Sequence, residues 1–134
     1  MSKSYDSGSS LNRKIIEGVN ILADNVASTL GPRGRNVILQ KAGKNPIITK
    51  DGVTVAEFVD LEDPFMNVGA QVIKQASRQT NSLAGDGTTT ATVLARAILR
   101  EANRHIVAGA PPIEVKRSID AATQKIVNNL TKLA

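Results

Sequence analysis

The sequence contains no cysteine and no tryptophan. A disulfide framework, a zinc–thiolate centre and thiol catalysis are therefore excluded, and the chain suits a reducing cytoplasm. Aromatic residues are limited to Tyr5, Phe58 and Phe65. That is a poor supply for stacking on nucleic-acid bases. It also means that a core must be built from Ile, Val, Leu and Ala, which favours close helix packing. His105 is the single histidine. A Ser-His-Asp triad would have to use it, and no Gly-x-Ser-x-Gly elbow accompanies it; late in a helical stretch, it reads as a surface residue. No His-Glu-x-x-His array, no Gly-x4-Gly-Lys-Ser/Thr loop and no Gly-x-Gly-x-x-Gly after a strand is present. No apolar run approaches the ~20 residues of a membrane-spanning helix. Met1 to Ser10 is polar and lacks the apolar centre of a signal peptide. The expectation is a cytoplasmic protein without membrane contact, in which the Asn129-Leu130-Thr131 sequon has no role.

What is present fits one modest domain of 134 residues. The net charge of +5 raises the question of an anionic partner. The basic residues are spread from Lys3 to Lys132 and form no patch. A solvated surface or attraction to an anionic ligand explains them better than nucleic-acid binding.

The chain reads as a mainly α fold: four helices with a small β-hairpin. Residues 1–9 are rich in Ser and Gly and read as a flexible arm, with Ser9 or Ser10 as a helix cap. Ile15, Val19, Leu22, Val26 and Leu30 then recur on one helical face, closed by Gly31-Pro32-Arg33-Gly34. Asn36 to Leu39 and Ile47 to Thr49 are strand candidates around a turn at Lys41 to Asn45. Lys50-Asp51-Gly52 reads as a further turn, with Asp51-Gly52 favouring positive φ. A second helix starts near Pro64, with Val68, Val72 and Ala76 as its buried stripe, and fades near Ala84. A third runs from Gly87 to about Ala108; Val93, Leu94, Ala97, Ile98 and Leu99 make it apolar on several sides, which predicts a central, buried helix. Gly109-Ala110-Pro111-Pro112 ends it. The fourth carries Val115, Ile119, Ala122, Ile126, Leu130 and Leu133 at helical spacing.

Three loops carry the chemistry. The sharpest is Gly85-Asp86-Gly87-Thr88-Thr89-Thr90, just ahead of an apolar helical run. Glycines allow close approach of backbone to ligand. A helix N-terminus attracts phosphate, and Asp86 is a hard carboxylate suited to Mg²⁺. The second is Thr29-Leu30-Gly31-Pro32, and the third is Lys50-Asp51-Gly52. Loops at element ends are the usual place for binding groups. If these three converge, they combine backbone donors, a lysine, two carboxylates and hydroxyls, a set that fits a triphosphate with Mg²⁺ better than a neutral ligand.

In order and spacing, these stretches resemble the group I chaperonins, the Hsp60 class, over the N-terminal half of their equatorial, ATP-binding domain. The resembling residues include Gly18 to Asp24, Thr29 to Val37, Ile48 to Val55, Leu61-Glu62-Asp63, Asn67 to Gln71, Ala84 to Ala95 and Lys116 to Asp120. The resemblance implies that Thr29, Leu30, Gly31 and Pro32 contact the nucleotide, with Gly31 backbone near a phosphate. Lys50 lies near the phosphates and their ions, with Gly52 in the same loop. Asp51 sits near the γ-phosphate and its attacking water, as the catalytic residue. Asp86 ligates Mg²⁺, and Gly87, Thr88, Thr89 and Thr90 wrap the phosphates. The implied cofactors are ATP and Mg²⁺, with K⁺ as a further ion. The implied partners are identical subunits in a ring, a small co-chaperonin lid and unfolded polypeptides; nucleic acid and membrane are not among them.

Family members usually have a more strand-like arm and an Ala-Arg just inside the first helix, where this chain reads Ser4 to Gly8 and Leu11-Asn12. They also continue into hinge and apical domains, and return to complete the equatorial domain. Two expectations follow. One is the N-terminal segment of an ATP-driven folding chaperonin. The other is a truncated, non-enzymatic relative that binds or regulates rings of complete subunits.

Overall fold

The computed structural model describes residues 5–134. The sequence-based arm over residues 1–9 lies partly outside them. Among the described residues there are five helices and one two-stranded antiparallel sheet: α1 (Gly8–Ala27), β1 (Val37–Leu39), β2 (Ile47–Thr49), α2 (Gly52–Phe58), α3 (Pro64–Ala84), α4 (Thr88–Val107) and α5 (Pro112–Leu133). The mainly α class with a small hairpin is as expected; the count is five helices, one more than the periodicity predicts. The chain divides after Ala97 into two compact units.

The first unit is organised by α1. Its N-cap is Ser7, ahead of the expected Ser9 or Ser10, and the Ser7 side chain makes no capping bond. Gly18, Val19, Leu22, Ala23 and Val26 are buried, following the expected stripe from Val19 to Val26. The helix ends at Ala27, three residues before Leu30, which is half exposed. The cause is local: the Ser28 hydroxyl donates to the Asn25 carbonyl and the Thr29 hydroxyl to the Val26 carbonyl, each over 2.7 Å. Side chains thereby take carbonyls that a longer helix would use.

α1 packs chiefly on α3. The crossing depends on two glycines: a Cβ at Gly18 would overlap the Met66 carbonyl, and one at Gly69 the Ile15 carbonyl. Helix backbones in direct contact leave no room for a side chain at either point. Ile73 completes this core with full burial. The buried face of α3 is Gly69, Ala70, Ile73, Lys74 and Ser77. The expected stripe was Val68, Val72 and Ala76; instead, Val68 and Val72 are half exposed. The close glycine crossing turns small residues inward and carries the two valines to the rim.

Asp63 caps α3, accepting from Phe65 N at 2.8 Å and Met66 N at 3.1 Å, with Pro64 in the first turn. Lys74 reaches from the buried face to donate to the Glu57 carbonyl at 3.2 Å. Arg78 grips the Glu57 carboxylate through two bonds of 2.5 and 2.6 Å and so holds that carboxyl below the usual glutamate range. These contacts pin the end of α2 to α3. The hairpin pairs Val37 with Thr49, Ile38 with Ile48 and Leu39 with Ile47; Leu39 is the strand residue that reaches the core.

In α4, Thr88 and Thr92 are the buried residues, while Leu94 and Ile98 are exposed by about half. The expected central burial of this helix is thus not found: beyond Thr92, none of its apolar side chains is buried. The second unit begins at Ile98 and holds the remainder of α4, the turn at Gly109 and α5. α5 has no buried residue. Its apolar stripe has the predicted spacing, yet Ile126, Leu130 and Leu133 are 58%, 60% and 84% exposed.

Candidate functional site

The site is built from three element ends within the first unit. At the end of α1, Thr29 donates through both its backbone N–H (3.1 Å) and its hydroxyl (2.7 Å) to the Val26 carbonyl. Leu30 N donates to the Ala27 carbonyl, Gly34 N to the Gly31 carbonyl and Arg35 N to the Ser28 carbonyl. The Thr29-Leu30-Gly31-Pro32 segment is therefore a tight exposed loop folded back on the helix end. Gly31 takes a left-handed conformation, φ 77°.

Lys50-Asp51-Gly52 departs from the expected turn. Asp51 is the N-cap of α2, and Gly52 is that helix's first residue without positive φ. Asp51 Oδ1 accepts from Val53 N at 3.3 Å; Oδ2 accepts from Thr54 N at 3.2 Å and from the Thr54 hydroxyl at 2.6 Å. The Thr54 hydroxyl is the main reason that the Asp51 carboxyl is held below the ordinary aspartate range. Partial burial opposes it, and the two backbone N–H groups add to it. An aspartate at this position satisfies helix donors that would otherwise be orphaned. Lys50 lies exposed at the junction of β2 and α2.

The third end is the α3–α4 connection. Gly85 caps α3 with φ 70° and Gly87 has φ 79°, so Asp86 stands between two left-handed glycines. Its Oδ1 accepts from Gly87 N at 2.7 Å, and the residue is exposed. Thr88 is buried, Thr89 half buried and Thr90 exposed. The three hydroxyls expected as donors at the helix mouth thus occupy three different environments. The Gly87 carbonyl accepts from Ala91 N at 2.9 Å and the Thr88 carbonyl from the Thr92 hydroxyl at 2.8 Å, so the helix begins directly at this loop.

Gly52 joins the three ends. A Cβ there would overlap the Thr89 hydroxyl and stand 3.3 Å from Val26 Cγ1. The start of α2, the start of α4 and the last turn of α1 are in contact around this one glycine, and Val26 is tied in turn to Thr29. An ion pair between Arg96, two turns into α4 from Thr89, and Asp24, two residues before Val26, also links α4 to α1. Sequence reasoning passed over Val26, Thr54, Asp24 and Arg96 as site neighbours. Thr54 was legible, three residues after a capping aspartate; the other three depend on helix packing.

Among the described residues no three His, Cys, Asp or Glu side chains gather as a metal cage. A single exposed carboxylate beside backbone donors matches the way Mg²⁺ is commonly held, through one or two carboxylates plus substrate phosphates. A separate cleft of about 530 Å³, lined by residues such as Lys41, Ile47, Glu57, Lys74 and Arg78, contains none of the loop residues above. No helix among the described residues is long and apolar enough to cross a membrane.

Residues 22–134 match the family model described as the TCP-1/cpn60 chaperonin family. The chain is also similar to chaperonin GroEL 1 of Corynebacterium efficiens, with 55% identity over 116 residues. That alignment covers 87% of this chain and 22% of the relative; the chain spans about a fifth of the length of the curated protein it matches. With matched residues running through all three loops, the chain belongs to the TCP-1/cpn60 chaperonin family, in its group I class.

Proposed function

We propose that this chain is the N-terminal, phosphate-holding segment of the equatorial domain of an ATP-dependent folding chaperonin, over residues 10–134. The observation that carries the reading is the contact of Val26, Gly52 and Thr89. It supports a single site formed by the Thr29–Pro32 loop, the Asp51 cap and the Asp86–Thr90 loop.

In this reading the backbone around Gly31 and the donors of Gly87 to Thr90 receive phosphate oxygens. Lys50 adds positive charge near them. Asp86 holds Mg²⁺, which supplies charge neutralisation at the phosphates when bound. Asp51 orients the attacking water, as an anionic acceptor whose own position is set by its capping bonds. Phosphoryl transfer to water needs positioning and charge stabilisation and no covalent nucleophile, so this donor set is sufficient in kind. ATP turnover would drive conformational change in a cytoplasmic ring of identical subunits that works on unfolded polypeptides with a co-chaperonin lid, and K⁺ is a further ion for the site.

Replacing Asp86 by Ala in the full polypeptide that carries these residues is expected to abolish Mg²⁺-dependent ATP turnover. Turnover equal to the parent's would remove Asp86 from the site.

A further inference from the structure

Asp51 and Thr54 form a contact that capping alone does not require. A capped helix start needs the aspartate oxygens and the backbone N–H groups of the next residues. Those two bonds are present, at 3.3 and 3.2 Å. The Thr54 hydroxyl adds a third and the shortest, 2.6 Å to Oδ2. A threonine inside a helix commonly turns its hydroxyl back to a carbonyl of the preceding turn, as Thr80, Thr92, Thr123 and Thr131 do in this chain. Thr54 instead donates to the carboxylate. Its half-buried setting, between buried Gly52 and Val55, restricts the alternatives.

We propose that Thr54 is a positioning residue for Asp51: its hydroxyl fixes the carboxylate in one orientation, which sets the direction of the acceptor capacity left for the attacking water. A carboxylate offers about four acceptor sites, and three donors from this chain occupy the two oxygens. Loss of the hydroxyl removes the shortest of the three bonds and leaves the carboxylate held only by the two longer N–H bonds, of 3.3 and 3.2 Å, so its orientation loosens while the helix stays capped. The inference rests on the reading of Asp51 as the water-orienting group.

The test is ATP turnover by the full polypeptide with Thr54→Val, Thr54→Ser and Asp51→Asn. Thr54→Val is expected to lower kcat roughly 10- to 100-fold, as small displacements of a positioning group do, with KM for ATP unchanged. Thr54→Ser, which keeps the hydroxyl, is expected to restore kcat. Loss of kcat in Asp51→Asn with parental kcat in Thr54→Val would overturn the role of Thr54 and leave that of Asp51. Parental kcat in both would overturn the reading of Asp51 itself. A fall of kcat, KM and melting temperature together in Thr54→Val, without rescue by Ser, would make Thr54 merely structural and also overturn the inference.

Discussion

Asp51 shows how one side chain serves two levels of the structure. Its carboxylate closes the donors at the start of α2, and the same bonds favour its ionised form. The native group titrates below the unfolded one, so its contribution to stability is complete above the unfolded pKa and is lost as pH falls through the native value. Asp51→Ala is expected to cost about 1 kcal/mol at neutral pH, the usual worth of such a cap. The gap between parent and variant should shrink as pH drops below about 3.9. Denaturant unfolding at neutral and acid pH checks this; a gap that persists undiminished in acid would mean that the carboxylate's charge is not what stabilises the cap. The cap itself is legible from Asp followed by Thr three residues on. What masked it is Gly52, since Asp-Gly is also a strong turn signal; the packing of Gly52 against Thr89 and Val26 decides between the two.

At the scale of elements, the pair Gly18 and Gly69 sets how closely α1 and α3 approach. Gly-to-Ala inside a helix ordinarily gains about 1 kcal/mol from propensity. At Gly69 the added carbon meets the Ile15 carbonyl, a backbone atom that cannot rotate aside. Overpacking of this kind costs roughly 1–3 kcal/mol, so Gly69→Ala should lower the melting temperature, against its propensity. A raised melting temperature would mean that the two helices part without penalty. Periodicity located α1 and α3 because it reports which residues can share a face. It misplaced the buried face of α3 by one position, because small residues carry little hydrophobic signal and yet make the closest contacts. The hairpin was legible from its β-branched runs and their spacing.

At the scale of the whole molecule, α5 retains a helical apolar stripe with no buried residue. Exposed apolar surface of this kind drives association, so the isolated chain is expected to self-associate. Ile126→Glu with Leu130→Lys should reduce light scattering while changing stability by less than about 0.5 kcal/mol per site, as surface changes do. A monomer in light scattering before any substitution would contradict the prediction. The expected central burial of α4 fails for a related reason: amphipathic spacing states that a face prefers burial, and it does not supply the surface that buries it.

Local chemistry, readable along the chain, was enough for the mainly α class, the hairpin, the start of α3 at Pro64, the glycine-rich loop ahead of α4 and the family motifs, because each depends on residues a few positions apart. Three features required tertiary structure: Asp51 as a cap in place of a turn, the glycine crossing of α1 with α3, and the meeting of Val26, Gly52 and Thr89. Each arises from contact between elements distant in sequence, where the presence or absence of a single Cβ decides how closely two backbones approach, and periodicity carries no record of that distance.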